Sequence, residues 1–191
     1  RQRQMCIRDR GYMFSELGSS ITRLDFTGLD TSLVENTEGM FTYDTFYLTP
    51  VKIAFDTSNV KNMQSMFYYT MTQDGTIDLT GLNVSNVVTM SNTLGSSYLE
   101  VIDLTGWDTS SVEDMSHMFD YSNRLNTVYA SDSFTTTKVT KSEGIFNFLR
   151  FFSINAPVKP PKKPRFTHSV PTFFKSLDTI IPFPPAKKLS S

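Results

Sequence analysis

The stretch "DLTGWDTSSVEDMSHMF", Asp103 to Phe119, decides how this chain is organised, because the chain writes it more than once. "DFTGLDTSLVENTEGMF" at Asp25 to Phe41 has nearly the same frame, and "DLTGLNVSNVVTMSNTL" at Asp78 to Leu94 has it again. Working outward, one column of the frame is Val34, Val60, Val87, Val112 and Val139, in steps of 26, 27, 25 and 27 residues. Seven residues later runs Phe41, Phe67, Leu94, Phe119 and Phe146. Five residues before each Val stands Leu29, Phe55, Leu82, Trp107 or Phe134. Further upstream come Leu24, Val51, Ile77, Ile102 and Val128. A period of 20–50 residues is the signature of stacked repeat architectures.

Each copy carries two local signals. In "LEVIDL" (Leu99–Leu104), Ile102 and Leu104 alternate with Asp103, which predicts a short strand. In "SSVEDMSHMF", Val112, Met115, Met118 and Phe119 fall at i, i+3, i+6 and i+7, which predicts a short helix with one apolar face. Ser110 followed by Glu113 reads as a capping box, and Ser32, Ser58, Ser85 and Thr137 hold the same cap position. Gly28, Gly81 and Gly106 mark the turn between strand and helix. One short strand and one short helix are each marginal alone, and stacking would bury both. The expectation is an α/β, leucine-rich-repeat-like right-handed solenoid. It would have about five repeats of 25–27 residues, with the four apolar columns as its core.

At these residues the frame resembles that of BspA-like leucine-rich-repeat surface proteins and of related repeat lipoproteins of wall-less bacteria. The likeness covers about residues 13–146 and rests on the "DTSxVxxMxxMF" pattern. The family often has a Cys just after its "MF", where this chain has Tyr68, Gly95 or Asp120. The resemblance implies a cell-surface or secreted protein whose repeats serve adhesion, with an extracellular protein or glycan as partner. It carries over no catalytic residue.

Outside the repeats the composition changes. Residues 1–146 hold 10 Lys and Arg against 18 Asp and Glu, a net of −8, whereas residues 147–191 hold 8 against one, a net of +7. The acidic part argues against a nucleic-acid partner, since phosphate contacts need Lys and Arg. No apolar run is long enough for a membrane span. The first ten residues, "RQRQMCIRDR", fit no repeat and read as an adapter-derived or disordered leader. Residues 147–191 hold eight of the nine prolines and read as a Pro-rich basic tail. That tail is a linker, an SH3-type ligand through Pro157, Pro160 and Lys162, or out-of-frame translation.

Enzyme chemistry finds little support. Cys6 is the sole cysteine, and His117 and His168 are the only histidines. No cofactor is expected. The Asp column, Asp25, Lys52, Asp78, Asp103 and Tyr129, should form a ladder on the sheet's open face. It is either turn chemistry, with carboxylates accepting backbone amides, or a partner-binding face; a weak Ca²⁺ site is a third alternative. Asp30, Asp56, Asn83 and Asp108 suit turns and caps. Thr31, Thr57 and Thr109 form a Thr ladder that an ice-binding face would need exposed and flat. "NVS" at Asn83–Ser85 matches a glycosylation acceptor that also lies in the cap column. Between copies lie Tyr43, Phe46, Tyr47, Tyr68, Tyr69, Tyr98 and Tyr121, placed to cover an edge or to meet a partner. The function expected is a surface-displayed, non-catalytic module for adhesion or for protein or glycan binding. The alternative is a structural spacer or envelope domain without its own ligand.

Overall fold

The computed structural model describes residues 8–17 and 21–146. The leader's first seven residues and the Pro-rich tail, with Cys6 and His168, lie outside them. Five short strands form: β1 (Thr45–Phe46), β2 (Met71–Thr72), β3 (Thr76–Asp78), β4 (Val101–Leu104) and β5 (Thr127–Ala130). All pairings are parallel, β1 with β2 in one sheet and β3-β4-β5 in the other. Ile77, Ile102 and Val128 are direct partners across β3, β4 and β5. The strand column therefore pairs copy to copy. Single-residue bridges extend this pattern, with Ile21 on Phe46 and Lys52 on Asp78. A third ladder consists only of such bridges and runs through Asp9, Asn36, Asn62, Thr89, Asp114 and Lys141. Asp9, inside the ten residues set apart as a leader, thus shares the register of the later copies.

The expected α/β solenoid with a helix in every copy is not formed. Among the described residues there are strands and turns but no helical element. The reason is visible in the backbone of residues 37–43. The N–H groups of Thr37, Gly39, Phe41 and Tyr43 donate to the carbonyls of Asn62, Gln64, Met66 and Tyr68 in the next copy. The intervening Met40 and Thr42 donate back to Thr37 and Gly39, closing tight turns. Met63 to Tyr69 and Met90 to Ser96 repeat the pattern. An α-helix would spend these donors on its own carbonyls. Here alternate donors go to the neighbouring copy instead.

The dihedrals enforce this. Two residues per copy, four apart, have left-handed φ: Gly39 and Tyr43 (58° and 60°), Ser65 and Tyr69 (55° and 56°), Asn92 and Ser96 (57° and 51°), His117 and Tyr121 (57° and 55°). Such values cannot continue a right-handed helix. The helical spacing of apolar residues misled because a run of turns also brings every third or fourth side chain inward. Met63, Met66 and Phe67 are all fully buried.

The capping serines are corrected with the helices. Val34, Val60 and Val112 N–H groups donate to the carbonyls of Thr31, Thr57 and Thr109. Ser32, Ser58 and Ser110 are therefore inside one-turn reversals. Their own amides, like that of Ser85, donate to the side chain two residues earlier, Asp30, Asp56, Asn83 or Asp108. Thr137 does the same to the Thr135 hydroxyl at 3.3 Å. These are Asx-type turns, an alternative to helix that short polar side chains offer the backbone.

The core is the set of columns. Val34, Val60, Val87, Val112, Phe41, Phe67, Leu94 and Phe119 are buried, as are Leu82, Trp107 and Phe134. Leu29, Phe55, Val139 and Phe146 are half-buried. The Phe column stacks ring on ring, 5.5 Å between Phe41 and Phe67 and 5.3 Å between Phe119 and Phe146. Trp107 is fully buried, and its indole N–H donates to the Leu79 carbonyl at 3.0 Å. Gly28 and Gly106 hold φ of 81° and 90° in the turn before the third column. Gly81 serves a different need. A Cβ there would stand 2.5 Å from the Ala54 Cβ and 2.9 Å from the Ile53 carbonyl, where the second copy's turn is shorter by one residue.

Candidate functional site

From Lys52 to Tyr129 the Asp column is a ladder, Asp25 has no such pairing among the described residues, and most of the carboxylate oxygens are used locally. Lys52 bridges to Asp78, Asp78 is paired with Asp103, and Asp103 with Tyr129. Asp25, Asp78 and Asp103 each accept the backbone N–H two residues on, from Thr27, Thr80 and Thr105, at 2.9–3.0 Å. The Thr80 hydroxyl adds a 2.6 Å bond to Asp78, and the Lys52 ammonium lies 3.4 Å from its other oxygen. Asp78 and Asp103 remain direct neighbours across β3 and β4, and the Lys52 ammonium offsets the charge of Asp78 from its other side. Hydrogen bonds from the Thr27 amide hold the Asp25 carboxyl below its usual range. At Asp78 burial pushes upward, but the Thr80 hydroxyl and amide and the Lys52 charge outweigh it, so the net shift is down. Tyr129 is exposed beside this ladder. Among the described residues, no group of three or more His, Cys, Asp and Glu side chains converges to hold a metal ion.

The Thr ladder lies inside, not on the surface. Thr31, Thr57 and Thr109 are buried. Thr57 and Thr109 hydroxyls each donate to a carbonyl of the next copy and accept an amide from it, at 2.6–2.8 Å. An exposed Thr array for ice is therefore not present. His117 is half-buried, with its Nδ1 2.8 Å from the Asp120 carboxylate in the same turn.

The tyrosines gather. Tyr43 packs edge-on against Tyr68 at 5.9 Å and tilted against Tyr69 at 5.2 Å, and Tyr69 meets Tyr98 edge-on at 5.4 Å. The Tyr69 and Tyr98 hydroxyls are 3.3 Å apart. Tyr43, Tyr69, Tyr98 and Tyr121 are 50%, 37%, 40% and 52% exposed, so the group is a surface strip rather than core. It crosses three successive copies, because the turn after each "MF" falls at the same place in the stack. Phe46 departs from the expectation: as the second residue of β1 it is fully buried.

Tyr43, Tyr69 and Tyr121 all occupy the second left-handed position of their copies. A bulky residue with positive φ is an outlier, since only Gly and Asn take that region cheaply. The inter-copy hydrogen bonds of Tyr43 and Tyr69 hold two of them there. Beside Tyr69 and Tyr98 opens a cavity of about 240 Å³, lined also by Ser96, Ser97, Tyr121, Asn123 and Arg124. Sequence reasoning named the tyrosines but missed Asn123 and Arg124. Neither belongs to a repeated column, so no periodic signal marks them.

One buried carboxyl stands apart. Asp44 occupies the column that later holds Thr70, Ser97 and Ser122, and it is fully buried. Burial pushes its carboxyl up to about 6, against a partly offsetting hydrogen bond from the Leu17 amide at 3.0 Å.

No curated protein and no solved structure is significantly similar to this chain. Among the described residues no helix is long and apolar enough to cross a membrane. A family described as "Mycoplasma protein of unknown function, DUF285" matches residues 9–98 and again residues 54–158. The two matches overlap because the frame recurs, and together they reach across most of the sequence. The chain belongs to this Mycoplasma family of repeat-containing proteins of unknown function.

Proposed function

We propose that this chain is a surface-displayed, non-catalytic repeat module whose work is adhesion through its tyrosine edge. The observation that carries the reading is the strip Tyr68–Tyr43–Tyr69–Tyr98, four aromatic side chains in contact across three copies, with Tyr43, Tyr69 and Tyr98 open to solvent and Tyr68 half-buried. Tyrosine offers a large amphipathic contact area at low entropic cost, which is why it is enriched where proteins meet partners. A rigid stack repeats such contacts at fixed spacing, so weak individual contacts add through avidity. The likeness of the frame to BspA-like surface proteins supports display at the cell surface.

The spacer reading has its own support. The carboxylates of Asp25, Asp30, Asp56, Asp78 and Asp108 are all engaged within their own turns. That leaves the aromatic edge as the main feature not consumed by the fold. The test is binding of the full chain to immobilised matrix proteins and to host-cell monolayers. A triple variant, Tyr43→Ser, Tyr69→Ser and Tyr98→Ser, should lose retention while keeping the parent's melting transition. Equal retention of parent and variant, or none by the parent, would favour the spacer.

A further inference from the structure

We infer that the cavity beside Tyr69 and Tyr98 receives a neutral pyranose ring of a glycan, a reading that rests on the adhesive role above and gives its ligand a chemical class. At about 240 Å³ the cavity is smaller than the roughly 300–1,000 Å³ typical of sites for drug-sized ligands. It suits one ring of a chain that continues outside.

Its walls suit a ring that is apolar on one face and polar at the rim. Tyr69, Tyr98 and Tyr121 supply aromatic surface, and Ser96, Asn123 and Arg124 supply polar groups, with no aliphatic side chain in the lining. A lipid tail would call for aliphatic walls, and an extended peptide for a longer groove. A pyranose presents C–H bonds on its face, which the electron-rich face of an aromatic ring attracts, and hydroxyls at its edge. Asn can both donate and accept at such hydroxyls, and Arg retains several donors even when one is engaged.

The charge is also decided. The Arg124 guanidinium is already paired with the Glu100 carboxylate. The lining therefore has no uncompensated cation to select a sulfated, sialylated or phosphorylated ligand. The floor is fixed: the Ser97 and Ser122 hydroxyls are 3.1 Å apart, and the Ser122 hydroxyl also donates to the Leu94 carbonyl at 2.8 Å. A preformed site loses less entropy on binding. Tyr69, Ser96 and Tyr121 all hold left-handed φ of 51–56°. The same left-handed position recurs in every copy, so these turns are set by the stack rather than by a ligand. Tyr43 and Tyr69 continue the aromatic track away from the cavity at 5.2 Å, so further rings of the same glycan have a surface to follow.

The test is affinity electrophoresis of the full chain through gels holding neutral polysaccharides (a mannan, a β-glucan, an N-acetylglucosamine polymer), with heparin and polysialic acid as charged comparisons. Retardation by at least one neutral polymer is expected, insensitive to added salt. Tyr98→Ala and Asn123→Ala should each weaken it about tenfold or more while leaving circular dichroism and melting unchanged. Tyr98 has an ordinary backbone conformation, so its truncation does not disturb the strained turn. No retardation by any neutral polymer, salt-sensitive retardation by heparin alone, or undiminished retardation of both variants would overturn the inference. Cell adhesion measured before and after periodate oxidation of the cell-surface glycans separates the two claims. Adhesion that survives oxidation but fails in the tyrosine variants keeps the adhesive role and removes the saccharide. Polymer binding without adhesion does the reverse.

Discussion

The turn architecture makes a sign prediction at Ser65. This residue has φ 55° and is half-buried, and its side chain makes no hydrogen bond or ion pair among the described residues. Its backbone N–H donates to Ser91 of the next copy, and its carbonyl accepts from Tyr68. A Cβ in the left-handed region costs about 1–2 kcal/mol. Glycine removes that cost but gives back about 0.5–1 kcal/mol of unfolded-state entropy. Ser65→Gly should therefore stabilise by about 0.5–1 kcal/mol, and Ser65→Ala, which keeps the Cβ, should be near neutral. Were this segment helical, the order would invert, since Gly is about 1 kcal/mol worse than Ala in a helix interior. The two conformations thus differ by about 1.5–2 kcal/mol in the Gly-minus-Ala comparison. The assay is urea denaturation of both variants at matched m-value, so that a shift in midpoint reports stability alone. Asn92→Gly should give a smaller gain of the same sign, because Asn already tolerates the region. Ser65→Ala more stable than Ser65→Gly would refute the left-handed turn and restore a helix.

Four further outcomes follow from contacts elsewhere in the stack. Trp107→Phe should cost about 0.5–1.5 kcal/mol, because the Leu79 carbonyl loses its indole donor but keeps the Leu82 amide, and Trp107→Ala should cost about 3–5 kcal/mol; equal melting of Trp107→Phe and parent would show the bond to be idle. Gly81→Ala should destabilise by more than Gly106→Ala's strain of about 1–2 kcal/mol, because its Cβ meets Ala54 and backbone that cannot yield; a rescue of Gly81→Ala by Ala54→Gly would confirm the clash. Asp44 gives a pH dependence whose sign is fixed by its raised folded value of about 6 against 3.8 unfolded. Between those values the folded state binds the proton more tightly, so this group's contribution favours folding below pH 4 and is lost as pH rises through 6, an effect of at most about 3 kcal/mol. Asp44→Asn should melt higher than the parent at pH 7.5 and lack that slope; parallel pH profiles for the two would sink the assignment. Asp30 and Asp56 act in the opposite sense, since the Ser32 and Ser58 hydroxyls and amides hold their carboxyls low, so their share of stability is lost as pH falls below the usual carboxylate range.

The repeat itself was legible in the sequence, down to register. The strand column predicted from Ile77, Ile102 and Val128 is the one that pairs, because a period-2 pattern with one buried face permits only one register. The inward columns were legible too, because burial leaves an apolar side chain at the same step in every copy. The local conformation of the "MF" segment was not. Its apolar spacing suits a helix and a run of turns equally, and the choice turns on where alternate backbone donors find acceptors. Gly39, Asn92 and Gly144 in the left-handed column were the available hints, but Ser65 and His117 in the same column mask them.

The sequence by itself thus determined that the copies stack, which residues face inward and where a reversal must occur, since all three follow from side-chain chemistry read along one copy. The tertiary structure alone decided that the segments are turns, that the Thr ladder is inside and that the tyrosines meet. Each of those depends on a partner about 26 residues away in the next copy. Hydrogen bonds across that gap hold Tyr43 and Tyr69 in a conformation their own chemistry disfavours. The same displacement sets Asn123 and Arg124, which belong to no column, beside Tyr98.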